Sequence, residues 1–409
     1  MISEVVMYIL LFCSLYFEVF LFITYVEKRN IIKTEYLEKK EDYWPSTTII
    51  VPCWNEGNTI IATIDSLLNL DYPKDKLSIL VVNDGSTDNT IDILKIFENN
   101  PQVQIYHKKN GGKYTALNIG IENSNSDLVG CLDADSFVDR NALKNMIPYF
   151  ENKKIMAVVP SINVHEPKNT LQRIQKIEYG WGIFIRKILS HLNAIYVTPG
   201  PFTIFRRDVF KKIGNYKHAY LTEDMEMALR MQENHYKIAT SHRSYVFTVT
   251  PSSLKTLYKQ RCRWAYGFLK NLIDYKHLFL KKEFGNLSFY ILPFGVISVV
   301  SALYFTANIV IKNANLIQEQ INKIRLVGFS FNTIHFDWFY LNTGLISIIS
   351  LFTLATTITL ILISMKLSEN KIKIKPELFY FMFIYPIITP FWIINALFNT
   401  IFSKTITWR

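Results

Sequence analysis

Two carboxylates stand one residue apart in residues 130–137 (GCLDADSF), where a short apolar run ends. Like charges this close repel each other unless a positive charge stands between them. Asp133 and Asp135 therefore predict a site for a hard divalent ion, which would bridge the two carboxylates and a bound diphosphate.

Four apolar runs predict the strands that position such a site: residues 47–51 (TTIIV), 78–82 (SILVV), 103–107 and 128–132. The first strand is expected to stop at Pro52. Helical spacing of apolar residues predicts helices near residues 58–70, 87–97 and 114–122. Strands that alternate with helices predict a mainly parallel sheet covered on both faces, whose ligands bind beyond the carboxyl ends of the strands.

Polar residues follow each predicted strand. Asn55 and Glu56 come after the first, Asn83 and Asp84 after the second, and Lys113 lies in the loop after the third. Asp84 is suited to accept hydrogen bonds from a ribose hydroxyl or a base N–H, and Lys113 to neutralise a departing diphosphate. Each cluster alone also fits a turn or a helix cap, but together they predict a nucleotide-shaped site. The GxxxxGK[ST] pattern of a Walker-type triphosphate loop is missing.

Five motifs, in this order, resemble those of the membrane-embedded processive glycosyltransferases of family 2. They are NE at 55–56, NDGSTD at 83–88, DAD at 133–135, TED at 222–224 and QRCRW at 260–264. The resemblance covers roughly residues 45–275 and the flanking apolar segments. It implies a Rossmann-like α/β domain of the GT-A type beside an α-helical transmembrane bundle.

The resemblance also implies a role for each matched residue. The donor, a UDP-sugar, would be bound by Asn55, Glu56, Asp84, Lys113, Asp133, Asp135, Gln260, Arg263 and Trp264. Asp133 and Asp135 would hold Mg²⁺ or Mn²⁺. Asp224 would be the general base that takes the proton of an acceptor hydroxyl in one inverting step, with Glu223 modulating it. The alternative for this segment is that Thr222 caps a helix running to Met231, with acidic residues in its first turn.

The acceptor side rests on two further matches. Trp264 would frame the acceptor sugar, and residues 197–207 (VTPGPFTIFRR) resemble the family's acceptor-floor loop, where Gly200 allows close backbone approach beside Pro201. The QRCRW box lies in residues 254–280, a basic and aromatic-rich amphipathic stretch. Such a stretch also suits a membrane surface, so one element is expected to serve both roles.

Composition indicates a membrane protein, with 49% hydrophobic and only 19% charged residues. Apolar stretches long enough to cross a bilayer are residues 5–26, 287–311, 344–365 and 378–402. The first is expected to be a retained anchor, since it has no basic residue ahead of it and no small-residue cleavage site. Basic residues follow it, which predicts a cytoplasmic catalytic block in a multi-pass protein of the plasma membrane. Residues 312–343 are expected to form an external loop or an interfacial helix.

The predicted domains are a transmembrane helix (1–27), a cytoplasmic glycosyltransferase domain (28–253), interfacial helices (254–286) and a C-terminal region of about three spans (287–409). Glu18 is costly in lipid, so it is expected to line a polymer channel or to pack against another span. Pro386 and Pro390 are expected to kink the last span. No chemistry is assigned to the scattered cysteines Cys13, Cys53, Cys131 and Cys262.

The leading functional hypothesis is a metal-dependent, inverting, processive β-glycosyltransferase that extends a polysaccharide and passes it outward. Within the family, the chain looks most similar to bacterial poly-β-1,6-N-acetylglucosamine synthases, which implies UDP-N-acetylglucosamine as donor. Hyaluronan, chitin or glucan synthesis, transfer of a single sugar to a lipid acceptor, and an inactive membrane component are the alternatives. Expected partners are the nucleotide sugar, a growing glycan or glycolipid, membrane lipid and a small accessory membrane subunit. No nucleic-acid motif is present.

Overall fold

The structure of the chain, a computed structural model, describes residues 2–34, 43–328, 344–369 and 375–402. Its strands are β1 (Thr47–Cys53), β2 (Leu77–Asn83), β3 (Val103–His107), β4 (Leu128–Cys131), β5 (Ser136–Val138), β6 (Ile155–Val164), β7 (Ile204–Arg206) and β8 (Lys237–Thr248). The helices are α1 (Ile2–Thr34), α2 (Ile60–Leu68), α3 (Thr90–Leu94), α4 (Lys113–Glu122), α5 (Thr170–His191), α6 (Arg207–Ile213), α7 (Glu223–Glu233), α8 (Leu254–Asp274), α9 (Leu292–Val327), α10 (Leu345–Glu369), α11 (Pro376–Phe379) and α12 (Tyr385–Ile401). Short 3₁₀ turns follow α8 at Lys276–Leu278 and Lys282–Phe284.

The strands form one sheet in the order β3-β2-β1-β4-β7-β6-β8-β5. Strands β1 to β4 pair in parallel, and β6 pairs in parallel with β8. Antiparallel pairing joins β7 to β4 and β6, and β5 to β8. The predicted mainly parallel sheet is confirmed, and it brings the carboxyl ends of β1, β2 and β4 to one edge.

Strand β1 does not stop at Pro52 as expected but continues to Cys53. Leu132 N donates to Ile50 O, so even-numbered residues of β1 direct their backbone groups towards β4. Strand β4 pairs with β1 only as far as Ile50, opposite Cys131. The nitrogen of Pro52 therefore points to the β4 side, beyond the residue at which β4 ends. Its missing N–H removes no ladder bond there, and the pairing of β1 with β2 continues to Cys53.

Alternate residues of β1 pack on opposite faces of the sheet. Ile50 packs with Leu117 of α4 in one apolar cluster, whereas Ile49 and Val51 pack with Ile64 of α2 in another. A strand buried on both faces is rigid, so the polar turns at its carboxyl end are held on a firm support.

Four helical segments of the described chain are long and apolar enough to cross a membrane: Glu4–Ile32, Leu287–Val327, Leu345–Ser368 and Pro376–Ile401. Each overlaps one of the four predicted spans, and the second is longer than predicted. Residues 312–327 form neither a loop nor a separate helix but continue α9, and residues 329–343 lie outside the described part. The second segment has 41 residues, about 61 Å of helix, roughly twice the hydrocarbon thickness, so its polar end extends beyond a bilayer.

The apolar helices pack on one another. Thr357 Oγ1 of α10 donates to Glu18 Oε1 of α1 at 2.6 Å, which agrees with packing of Glu18 against another span. Pro386 follows a π-helical turn at Tyr380–Ile384, and Pro390 lies inside α12. A proline leaves a carbonyl of the preceding turn without its N–H partner, which accounts for the widened turn before Pro386. All four cysteines are free thiols.

Candidate active site

The loops after β1 and β2 are bound to each other. Asn55 adopts a left-handed backbone with φ of 56°, and its Oδ1 accepts from Thr87 N at 2.7 Å. Its own N–H donates to Ser86 Oγ at 2.9 Å. Glu56 N donates to Thr90 Oγ1, while Glu56 O accepts the first N–H groups of α2. The NE and NDGSTD motifs therefore form one preorganised wall of the site.

Asp84 orients the loop that carries Lys113. Its two carboxylate oxygens accept from Gly111 N and Gly112 N, each at 2.9 Å, and the carboxylate pairs with Lys108. Gly112 has a φ of 91°, a conformation that favours glycine, and α4 begins at the next residue. The predicted contact of Asp84 with a ribose or a base stays a prediction. What the structure adds is that this carboxylate holds the turn leading into α4.

Lys113 lies at the centre of the site, as the first residue of α4. Its Nζ is 2.5 Å from Asp133 Oδ1 and 3.5 Å from Glu223 Oε1. Burial disfavours its charged form, but the charges of Asp133 and Glu223 outweigh this and raise the pKa of Lys113 above its usual value. The lysine thus remains a cation beside Asp133 and Glu223, and a cation here has the charge needed to neutralise a phosphate.

Of Asp133 and Asp135, Asp133 has the direct ion pair with Lys113, and Asp135 has the less neutralised charge. Burial, followed by the charges of Asp133 and Glu56, raises the pKa of Asp135 to about 7. Ser136 Oγ donates to its Oδ1 at 3.2 Å. Among the described residues, no three His, Cys, Asp or Glu side chains converge as a ready-made metal cage. Asp133 and Asp135 can supply two oxygen ligands, and the remainder would have to come from a bound substrate and water.

The loop that contains Gly200 and Pro201 lies directly against the ion pair. A Cβ at Gly200 would be 2.7 Å from Lys113 Nζ and 3.1 Å from Asp133 Oδ2. Cys131 Sγ donates to Gly200 O at 3.0 Å, and Phe202 N donates to Cys131 O at 2.6 Å. Only glycine leaves room for the lysine at this point, which gives the sequence motif PGPF a steric reason.

Asp224 lies in the first turn of α7, across from this loop. The backbone oxygen of Asp224 accepts from both N and Oγ1 of Thr198, and its carboxylate accepts from Met225 N at 2.9 Å. Burial and the charge of Glu223 raise the pKa of Asp224 to about 6, while Lys113 acts in the opposite direction. A carboxylate with this pKa is ionised at neutral pH yet is a stronger base than an ordinary aspartate, as a general base requires.

Thr222 does not cap α7 as the alternative reading expected. It precedes the helix, but its hydroxyl donates to Ala219 O and accepts from Asn271 Nδ2 of α8. A Cβ at Gly267 of α8 would lie 2.2 Å from Thr222 Oγ1, so α8 packs very closely on this turn. The acidic first turn of α7 is therefore positioned by α8, in which the QRCRW box lies.

A left-handed turn leads into the acidic residues. Ala219, Tyr220 and Leu221 all have positive φ, between 35° and 64°. Arg263 Nη1 donates to Leu221 O at 2.9 Å, and Arg263 lies within electrostatic range of Glu223, Asp224 and Asp133. Three successive residues in this region are strained, so the contact from Arg263 helps to hold the turn that precedes Asp224.

Gln260 and Trp264 lie between the directions in which Arg263 and Arg261 leave α8. Trp264 is 38% exposed, and Gln260 is half-buried. Between them in sequence, Arg261 is buried and faces α5 and α12 rather than the carboxylates. Sequence reasoning missed Arg261, and it also missed Gly267 and Thr198. Arg261 is a second arginine inside the box, and this doubling was the one available signal.

The chain matches one described protein family and several characterised relatives. Residues 48–214 match the domain described as Glycosyl transferase family 2. A poly-beta-1,6-N-acetyl-D-glucosamine synthase of Staphylococcus epidermidis strain RP62A is 30% identical over 299 residues, 72% of this chain and 71% of the relative. Enzymes of the same name from Staphylococcus epidermidis and Staphylococcus aureus strain MSSA476 are 33% identical, and the chain covers 62% of each.

A solved structure shares the fold of both the sheet domain and the apolar helices. A mannosyltransferase from Pyrobaculum calidifontis, in complex with GDP-Man and Mn²⁺, has a TM-score of 0.59 and 18% identity, and the likeness covers 97% of this chain and 99% of that one. The sheet domain accordingly has the GT-A fold, next to long apolar helices. This chain is a glycosyltransferase and belongs to glycosyltransferase family 2.

Proposed function

We propose that the chain is an inverting, processive β-glycosyltransferase that polymerises a nucleotide sugar, with UDP-N-acetylglucosamine as donor, and passes the polysaccharide across the membrane. One observation carries the proposal. Asp224 and the Lys113–Asp133 pair lie on one side of α8, and the other side of α8 contacts α12, an apolar helix long enough to belong to a membrane span. A single helix thus adjoins both the chemistry and the membrane.

The donor would be bound mainly by residues that follow the strands of the sheet, together with Arg263 of α8. Lys113 offers a cation to the diphosphate, and Arg263 can pair with a phosphate through two parallel N–H donors. Asp133 and Asp135 fit Mg²⁺ or Mn²⁺, since carboxylate oxygens are hard ligands and, among the described residues, Lys113 pairs directly with Asp133 and acts on Asp135 at longer range. Such an ion, when bound, would neutralise charge on the departing nucleoside diphosphate.

The proton step falls to Asp224. Its carboxylate would take the proton of the acceptor hydroxyl as that oxygen bonds to the anomeric carbon and the bond to the diphosphate breaks, with inversion at this carbon. The proton moves to Asp224, and the electron pair of the broken bond leaves with the nucleoside diphosphate. The ammonium of Lys113 contacts both Asp133 and Glu223. Glu223 would therefore help to hold Lys113 next to Asp133, where the leaving group would bind.

The acceptor and the membrane complete the proposal. Trp264 is 38% exposed and would contact an acceptor sugar with the part of its ring that Arg261 leaves open, and Gly200 and Pro201 would form the floor beside the ion pair. The basic residues after the first span favour a cytoplasmic catalytic domain in the plasma membrane, with domain limits at 1–27, 28–253, 254–286 and 287–409. The relatives named poly-beta-1,6-N-acetyl-D-glucosamine synthases support a polymer of N-acetylglucosamine.

The test uses the full chain purified in lipid nanodiscs. It would be incubated in parallel with radiolabelled UDP-N-acetylglucosamine, other UDP-sugars and GDP-mannose, with Mg²⁺ or Mn²⁺. The products would be sized and identified by mass spectrometry after glycosidase digestion. Long β-linked chains from UDP-N-acetylglucosamine are expected. Transfer from another donor alone would overturn the sugar assignment, and products with a single added sugar would overturn processivity in favour of transfer to a lipid acceptor.

A further inference from the structure

Arg261 makes a closed triangle with two residues of other helices. Its Nη2 donates to Glu178 Oε2 of α5 at 2.7 Å, and its Nε donates to Tyr385 Oη of α12 at 3.3 Å. Tyr385 Oη in turn donates to the same Glu178 oxygen at 2.8 Å. We call Arg261, Glu178 and Tyr385 the Arg261 triangle. It joins the helix of the QRCRW box to the last apolar segment of the chain.

The same guanidinium also touches two residues of the box. Arg261 Nη1 donates to Gln260 Oε1 at 3.0 Å, and its Cζ lies 4.1 Å from the centre of the Trp264 ring. A guanidinium is planar, with donors in fixed directions, so satisfying Glu178 and Tyr385 also sets the plane on which Trp264 stacks. Lysine offers only a point charge and cannot reproduce this set of contacts.

The Arg261 triangle adjoins the donor site without taking part in it. Arg261 is 5% exposed, and within the described part of the chain its side chain bonds to Glu178, Tyr385 and Gln260 and not to Asp133, Lys113 or Asp224. Tyr179, the neighbour of Glu178, lies within electrostatic range of both Arg261 and Asp135. The Arg261 triangle therefore lies where α8 meets α5 and the apolar helix α12, and Tyr179 interacts electrostatically with both the triangle and Asp135.

We infer that Arg261 is a positioning residue that docks α8 on α12 and, through Trp264 and Gln260, holds the acceptor end of the glycan at Asp224 between successive transfers. This inference rests on the proposed processive function. Loosening the Arg261 triangle should weaken acceptor retention, because Arg261 contacts Trp264 and Gln260. Donor binding should stay intact, because the described contacts of Arg261 do not include the residues that follow β1, β2 and β4.

Two conservative variants of the full chain test the inference, Tyr385→Phe and Arg261→Lys. Tyr385→Phe removes one hydroxyl and two hydrogen bonds without leaving a large cavity. The control is Arg173→Gln, which breaks the 2.8 Å ion pair of α5 with Glu377 of α11 and leaves α8 untouched. Steady-state kinetics would give KM separately for the nucleotide sugar and for an added oligosaccharide acceptor, and sizing would give product length.

Both variants should raise the acceptor KM about tenfold and shorten the product several-fold, as expected for the loss of a hydrogen bond to a charged group. The donor KM should stay within about twofold, and Arg173→Gln should match the wild type. Unchanged acceptor KM and product length in both variants would overturn the inference, as would equal losses in the Arg173→Gln control. A wild type that adds one sugar only would refute processivity, and the acceptor KM would still decide the role of Arg261.

Discussion

Replacing Gly200 by alanine tests whether the position of Lys113 governs donor use. The added Cβ would lie 2.7 Å from Lys113 Nζ and 3.1 Å from Asp133 Oδ2. The backbone at Gly200 is outside the left-handed region, so alanine is strained only by this contact. The end of a lysine chain can move away at little cost, and the fold should therefore survive while the ammonium is displaced from its site.

The size of the effect follows from the contact that is lost. A hydrogen bond to a charged group contributes about 1.5–3 kcal/mol, so displacing Lys113 from the diphosphate predicts a fall in kcat/KM for the donor of roughly 10- to 100-fold. The melting temperature should change by no more than about 4 °C, because the substitution adds one methyl group against a flexible chain end.

Initial rates of nucleotide release at varied donor concentration measure this effect. Gly182→Ala is the matched control, since its Cβ would lie 3.2 Å from Arg186 Nη1 and would meet only the end of that flexible chain. The control should keep kcat/KM within about twofold. A folded Gly200→Ala protein with unchanged donor kcat/KM would refute the assignment of Lys113 to the leaving group, and equal losses in both variants would indicate a general packing effect.

Four further predictions concern the base, its pH dependence, the α8 contact and the metal. Asp224→Asn should lower kcat by about 10²- to 10⁴-fold with the donor Kd unchanged in titration calorimetry, and a parallel loss of donor binding would contradict its role as base. Because the pKa of Asp224 is raised to about 6, the carboxylate is protonated below that pH. The acceptor kcat/KM should therefore drop about tenfold per pH unit below about pH 6 and level off above it, whereas a flat profile from pH 5 to 8 would exclude this group. Gly267→Ala should lower both kcat and the melting temperature, since its Cβ would lie 2.2 Å from Thr222 Oγ1, and a variant with wild-type values would show that α8 need not pack so closely. Treatment with EDTA should abolish transfer and added Mn²⁺ or Mg²⁺ should restore it, with Asp135→Asn requiring a higher metal concentration; full activity in EDTA would remove the metal from the proposal.

Local sequence signals predicted most of the sheet edge that carries the proposed donor-binding residues. Strands β1 to β4 begin and end within two residues of their predicted limits, because β-branched runs and polar strand ends are properties of short segments. The prediction failed where an element's partner decides its extent. Pro52 is tolerated because β4 ends beside it, and the hydroxyl of Thr222 turns to α8 instead of capping α7.

The chemical inventory can be read from the residues alone: the carboxylates, the lysine and the box, their order along the chain, and the apolar segments long enough to cross a membrane. Which of these groups meet depends on the folded chain. Lys113 of α4 and Glu223 of α7 are distant in sequence yet share one ion-pair cluster with Asp133. Two arginines of one motif act on different sides, Arg263 on the turn before Asp224 and Arg261 on Glu178 and Tyr385. Residues two positions apart on a helix point about 200° apart, so Arg261 and Arg263 leave α8 on different sides. Which of them faces the carboxylates is set by the close packing of α8 on the turn before α7. This packing is a long-range contact that no local sequence pattern encodes.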